Sequence, residues 1–288
     1  MNIAVVTGTS TGIGFETSLH LARNGYYVFA GMRNTKKAQP LIDAAAAESL
    51  AVEVIEMDVT DGSSLNGAFD IINAKGQVSL LVNNAGIGGA SPLELTPEDE
   101  HRQIFETNYF GTIACIQKVL PAMREQGKGD IVNISSIVGI LATPNQLAYS
   151  ASKWAVEGAT EALAHEVYRF GVRVYCVEPG VVATNIFDNS ADMTRYDKTS
   201  PYQPIMRRNG KLYSAGFKAP ASPQQVAAAI LTAVTQQEYQ FRWPVGVDAD
   251  GICAGRPKIA AEQWIKMGDE ITDSEYDSLF EEHFNIKL

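Results

Sequence analysis

Six short runs rich in Val, Ile and Leu are spaced through the first 177 residues, and a longer segment of helical period separates most of them from the next. The runs fall at 3–7, 27–30, 52–57, 80–83, 131–135 and 172–177, mostly as unbroken apolar stretches rather than polar/apolar alternations. Strands covered on both faces have that form. Between and after them, 14–24, 35–49, 62–74, 96–126 and 149–170 carry the helical period. Gly25, Gly76, Gly127 and Gly171 each follow one of these segments, where a left-handed residue ends a helix. Such alternation is the sequence form of βαβ units, so it requires a parallel sheet with helices on both faces. One more helix is predicted over 223–236, opened by Ser222-Pro223, and a last strand over 241–245.

The stretch 185–222 breaks the pattern. It holds Pro201, Pro204, Pro220, Arg207, Arg208 and five aromatics (Phe187, Tyr196, Tyr202, Tyr213, Phe217) without a clear period. Long excursions inside a compact domain tend to be functional or mobile. Residues 246–288 are polar with apolar punctuation and read as a helical C-terminal extension. With no linker, repeat or low-complexity segment, residues 1–288 read as a single domain.

Composition removes several function classes. The net charge of −10 leaves no basic surface for nucleic acid or an anionic bilayer. The longest uncharged stretch, 131–152, is interrupted by Asn133, Ser135, Ser136, Pro144 and Asn145, so no membrane span is expected. Cys115, Cys176 and Cys253 are an odd, sparse set that suits a reducing compartment. The opening MNIAVVTG lacks the basic start and cleavage site of a secretory signal, so a cytoplasmic protein is expected. His20, His101, His165 and His283 are scattered without metal-ligand spacing, so no metal site is expected.

Directly after the first strand comes Thr7-Gly8-Thr9-Ser10-Thr11-Gly12-Ile13-Gly14, which opens a helix. A glycine turn there lets backbone N–H groups approach a pyrophosphate, and the helix N-terminus adds partial positive charge. Further on stand Asp58-Val59, Asn84-Ala85-Gly86, Asn108, Ser135-Ser136, Tyr149-x-x-x-Lys153, Pro179-Gly180 and Thr184. Tyr149 and Lys153, four apart on a helix, project from one face. A nearby ammonium favours a phenolate, so Lys153 is expected to lower the Tyr149 pKa.

The spacing TGxxxGxG and the motifs after it, in this order from residue 3 to about 184, resemble the short-chain dehydrogenase/reductase family. The resemblance implies a Rossmann-type doubly wound α/β parallel sheet in the order 3-2-1-4-5-6-7, with a substrate-covering insertion. It implies a nicotinamide cofactor cradled by Gly8, Ser10, Thr11, Gly12, Ile13 and Gly14. Asp58 and Val59 then meet the adenine, Asn84, Ala85 and Gly86 line the adenosine side, and Pro179, Gly180 and Thr184 the nicotinamide end. It also gives Tyr149 the proton transfer, Lys153 the ribose hydroxyls, Ser136 the developing alkoxide, and Asn108 a water that links Lys153 to solvent.

At the end of the second strand an acidic residue selects NAD, whereas an arginine accommodates a 2′-phosphate. The sequence there is Met32-Arg33, with Lys36-Lys37 beyond, and it selects NADP. Arg242-Trp243-Pro244-Val245-Gly246 resembles the 17β-hydroxysteroid-dehydrogenase-like branch and implies a bulky hydrophobic ketone or alcohol. The implied activity is NADP-dependent interconversion of a small-molecule carbonyl and an alcohol by a homodimer or homotetramer. The alternatives are an NAD-linked secondary-alcohol dehydrogenase and a non-catalytic NADP-binding regulator on the same fold.

Overall fold

A computed structural model describes residues 2–184 and 191–288 of the chain. The first apolar run is β1 (Asn2–Thr7); the glycine turn opens α1 (Gly12–Arg23), and the chain returns as β2 (Tyr26–Met32), parallel to β1. The same unit repeats through α2 (Gln39–Ala47), β3 (Val52–Glu56), α3 (Gly62–Lys75) and β4 (Val78–Asn83). Then come α4 (Glu98–Phe105), α5 (Gly111–Gln126), β5 (Gly129–Ile134), α6 (Leu147–Val167) and β6 (Val172–Pro179). The rest is α7 (Gln203–Gly216), α8 (Pro223–Thr235), β7 (Arg242–Val245), α9 (Val247–Gly255), α10 (Ala261–Lys266) and α11 (Asp273–Phe284).

The seven strands form one parallel sheet in the order β3-β2-β1-β4-β5-β6-β7, the Rossmann-type order expected. Alternate residues of each strand bury on opposite faces. Ile3, Val5, Phe29, Leu81 and Val174 pack with Phe69, Val119 and Met123 of α3 and α5. Ala4, Val6, Val28, Leu80 and Tyr175 pack with Leu21 of α1 and Val226 and Ile230 of α8. Strand order reverses between β1 and β4, so the connections leave these neighbours in opposite directions and open a crevice at their carboxyl ends. A third cluster joins Ile137 and Leu141, just after β5, to Leu212 of α7 and to Ile252, Tyr276, Phe280 and Phe284 of the extension.

Several elements depart from the sequence reading. The helix expected over 35–49 is a 3-10 turn at Thr35–Lys37 followed by α2, with Pro40 in its first turn where the missing N–H is harmless. The helix expected over 96–126 is α4 and α5 joined by one wide turn of π-helix, Glu106–Phe110. The helix expected over 149–170 starts at Leu147 and leaves α geometry after Val167. The stretch 185–222, without visible period, contains α7, whose buried face carries Arg208 and Asn209 beside Met206 and Leu212, which masks the apolar period. Phe187 lies outside the described residues. The extension is helical, as α9 to α11. Among the described residues no helix is long and apolar enough to cross a membrane.

Candidate active site

The crevice is built at the glycine turn. Gly8 and Gly12 sit at φ +70 and +63, a region that L side chains rarely adopt. A Cβ on Gly14 would lie 2.4 Å from the Gly8 carbonyl oxygen, so α1 starts against its own turn. Asn84, just past β4, holds the turn from the other side: its Nδ2 donates to the Thr7 and Gly8 carbonyls at 2.9 and 3.0 Å. Thr7 Oγ1 in turn accepts from the backbone N–H of Asn84 and Ala85 at 3.0 and 2.9 Å. Thr11 stands at the N-cap of α1 without a side-chain cap, and the first turn holds no acidic residue. Its amides and partial positive charge are therefore open to an anion, with Ser10 and Ile13 beside them. Thr184 abuts the same turn, its Cγ2 3.0 Å from where a Gly12 Cβ would stand.

Arg33 follows directly on β2 and is exposed, and among the described residues no hydrogen bond or ion pair engages it. Lys36 and Lys37 are exposed next to it. Across the sheet edge Asp58 is turned on its own loop, Oδ1 accepting from the Thr60 amide and hydroxyl at 3.0 and 2.7 Å. Val59 is buried against Gly111, where α5 begins.

On α6 the i, i+4 pair faces inward. Lys153 is buried and its Nζ donates to the Ile134 carbonyl at 2.8 Å, at the end of β5. Nζ stands 5.8 Å from the centroid of the Tyr149 ring. Burial of the ammonium brings the Lys153 pKa down to about 8, against the raising influence of Cys176 and Glu157. Tyr149 does not behave as the sequence suggested. Burial pushes its phenol above the ordinary value, with the Ser136 hydroxyl pulling the other way. Desolvation of the phenolate is the largest influence on it, and the Lys153 ammonium is committed to a backbone carbonyl.

Ser136 begins a 3-10 turn, Ile137–Gly139, and its Oγ accepts from the Val138 amide at 3.3 Å while standing beside Tyr149. Capping and a place beside the Tyr149 hydroxyl are therefore combined in one side chain. Ser135, in contrast, is buried, its Oγ without a partner among the described residues and close to Gly139.

Asn108 lies in the π turn, a distortion often found at functional sites. Its Oδ1 accepts from the Ile87 amide at 2.8 Å, and its Nδ2 donates to the Ile87 carbonyl at 2.9 Å and to Ser152 Oγ at 3.0 Å. Ser152 in turn donates to the Tyr149 carbonyl at 2.8 Å. Asn108 thus clamps the Asn84-Ala85-Gly86 loop to the helix that carries Tyr149 and Lys153.

Two features were not visible in the sequence. Asp248, buried at the start of α9, accepts from the Val181 amide at 2.7 Å and packs so closely on Gly180 that a Cβ there would overlap it. It fixes the turn that carries Pro179, Gly180 and Thr184. Behind Lys153, Arg242 of β7 pairs with the buried Glu157 and, at 2.8 Å, with the buried Glu178, next to Cys176. Only the i, i+4 spacing of Lys153 and Glu157 hinted at that group.

A cavity of about 340 Å³ opens over Tyr149, Ser136 and Lys153 and runs from Asn84 and Gly86 to Pro179, Gly180 and Thr184. Its outer wall is made by residues after 190. Tyr196, Tyr213 and Phe217 reach it and Tyr202 does not, facing instead a neighbouring hollow under Trp154 and Trp264. Arg195 pins this wall, pairing with Glu100 of α4 and donating its amide to Ala90 at 2.8 Å.

Residues 2–195 match the family model for short chain dehydrogenases. The chain is 35% identical over 246 residues to a 3-ketodihydrosphingosine reductase of Bacteroides thetaiotaomicron, covering 85% of this chain and 87% of that protein. A short-chain dehydrogenase from Streptomyces avermitilis superposes with TM-score 0.80 at 32% identity over 96% of both chains. A short-chain dehydrogenase/reductase from Burkholderia phymatum, solved with NAD, superposes with TM-score 0.78 at 25% identity, over 94% of this chain and 96% of its own.

Proposed function

The chain belongs to the short chain dehydrogenase family, an oxidoreductase family, and from that premise we propose that it interconverts a carbonyl compound and an alcohol with NADP on a bulky hydrophobic substrate. One observation carries the reading: Tyr149, Ser136 and Lys153 line one cavity together with Ile13, in the first turn of the uncapped helix that the glycine turn opens.

The residues present fit a dinucleotide. Any side chain at Gly8 or Gly14 would fill the cradle, and the free amides of α1 suit a pyrophosphate. When bound, the cofactor supplies the hydride that no side chain can donate. Gly8, Ser10, Thr11, Gly12, Ile13 and Gly14 hold its phosphates, and Asp58, Val59, Asn84, Ala85 and Gly86 the adenosine half. Pro179, Gly180 and Thr184 hold the nicotinamide half, and Lys153 the ribose hydroxyls. Tyr149 gives its proton to the carbonyl oxygen in reduction or takes it from the alcohol in oxidation. Its raised pKa suits a group that must hold that proton at neutral pH. Ser136 donates to the same oxygen as negative charge grows on it. Asn108 acts here as the clamp on Ile87 and Ser152.

The unengaged Arg33 favours NADP, since a guanidinium suits a 2′-phosphate. The NAD-bound Burkholderia relative keeps the NAD-linked reading as the rival. The Bacteroides relative, named for reduction of a keto compound, supports the carbonyl chemistry. Exposed Phe110, Leu147 and Trp154 on the α5 and α6 side support a homodimer or homotetramer, and three unpaired thiols suit the cytoplasm.

Initial rates on a panel of bulky ketones test the assignment. NADPH should outperform NADH by at least about tenfold, Arg33→Asp should reverse the order, and Tyr149→Phe should abolish turnover while NADPH still binds. Equal use of NADH by the native protein would remove the NADP assignment, and undiminished turnover by Tyr149→Phe would remove the mechanism.

A further inference from the structure

The inner face of α7 presents Met206, Asn209, Tyr213 and Phe217 to the cavity, a stripe at helical spacing. Three of these are apolar or aromatic; Asn209 is not. Tyr213 has a partner, its hydroxyl donating at 2.7 Å to Gln146 Oε1, which also accepts from Thr143 at 2.8 Å. Asn209, one turn earlier, is 5% exposed, and among the described residues its Oδ1 has no hydrogen-bond partner. The Asn145 side-chain oxygen, in the same cavity wall, is also without a partner among the described residues, on a residue held at φ +65. A buried amide left unpaired is destabilising, and leucine or methionine would fill the same face without that loss.

We propose that Asn209 is a specificity-determining residue that binds a hydrogen-bond donor, a hydroxyl or amide N–H, carried by the substrate away from its reacting carbonyl. The inference rests on the carbonyl/alcohol reading of the cavity and narrows its substrate class. The hydrophobic body of such a substrate lies on Met206 and Phe217, and its polar group meets Asn209, with Asn145 as the second open amide. The reacting carbonyl remains at Tyr149 and Ser136.

The test is a series of ketones of equal length in which one hydroxyl is moved outward from the carbonyl carbon by carbon, each with its methyl ether as the acceptor-only match. An amide series is run in parallel with its N-methylated matches. At one position the donor-bearing member should have a kcat/KM about tenfold above its match, carried by KM. Asn209→Leu should bring that ratio to within about twofold of unity while the unsubstituted ketone is turned over as well as before. Asn209→Ser serves as a second variant if thermal unfolding shows that the leucine form is not native, and it should keep part of the preference. The proposal is overturned if the native protein shows no donor preference at any position, or if Asn209→Leu keeps it. Turnover of the unsubstituted ketone and its loss in Tyr149→Phe report separately on the parent reading. Should no ketone react, calorimetric titration of the protein with the same matched pairs, with and without NADPH, reads the donor preference directly, and equal affinities overturn it.

Discussion

At the scale of single residues, the site sets an ammonium and a phenol in opposition inside low-dielectric surroundings. Lys153 is held at about 8 by burial, so its charge is present at neutral pH and lost as the pH rises through that value. A neutral amine cannot attract the negatively charged cofactor or polarise its ribose hydroxyls. NADPH affinity, followed by fluorescence titration between pH 6 and 10, should therefore fall along a limb near pH 8. In Lys153→Arg, whose guanidinium stays charged throughout, that limb should vanish; an unmoved limb would assign it to another group. Tyr149 and Lys153 were legible because their spacing alone puts them on one face. The direction of the Tyr149 shift was not, because burial is a property of the whole surroundings rather than of the i+4 neighbour.

At the scale of elements, α7 is the part the sequence hid. It is tied to the extension by charge: Arg207 makes two hydrogen bonds to Asp273 of α11, at 2.8 and 2.9 Å, and Lys211 pairs with Asp277 at 2.8 Å. Arg208, buried on the inner side, donates to the carbonyls of Ile271 and Met267. The hydrogen bond from Arg207, helped by Lys211, holds the Asp273 carboxyl at about 2. A carboxylate pKa below its unfolded value adds stability that is present above about pH 4 and is lost as the pH falls toward 2. Asp273 is 30% exposed in its side chain, so solvent screening leaves about 1 kcal/mol. Asp273→Asn should lower the melting temperature by about 2–4 °C at pH 7, and the gap to the native protein should shrink as the pH falls below about 4 and close only below about 2. A gap that persists in acid would show that the loss is not the ion pair. The π turn between α4 and α5 was hidden for a different reason: one extra residue in a turn leaves the apolar period nearly unchanged, yet it sets where Asn108 points.

At the scale of the whole molecule, Arg242 ties the last strand to α6. It bridges Glu157 of α6 and Glu178 of β6, each almost without solvent exposure, and reaches Glu161 at 3.3 Å. Burial and the neighbouring Glu157 push the Glu178 carboxyl up to about 7 even with the guanidinium in place. Replacing Arg242 by Met leaves two buried carboxyls facing each other without a cation, a loss of about 3–5 kcal/mol. Because a raised carboxyl prefers its protonated form in the folded state, the damage should be greater at pH 8 than at pH 5. Thermal unfolding at the two pH values checks both the size and the sign, and a pH-independent loss would assign it to packing.

The alternation of apolar runs and helical segments was written in the chain itself, because strand and helix periods are local and a parallel sheet is the way to bury strands apolar on both faces. The glycine turn and the Tyr149–Lys153 pair were equally local, so their presence and their placement on the first turn and on one helix face were legible in the sequence. Contacts made across long stretches of chain were decided only by folding. Asp248 reaches Val181 from 67 residues away, Arg242 reaches Glu157 from 85, and Asn209 enters the cavity only because α7 folds back over it. A residue's neighbours in sequence carry no record of such partners, so the cavity wall formed by α7 and the buried charges behind Lys153 exist only in three dimensions.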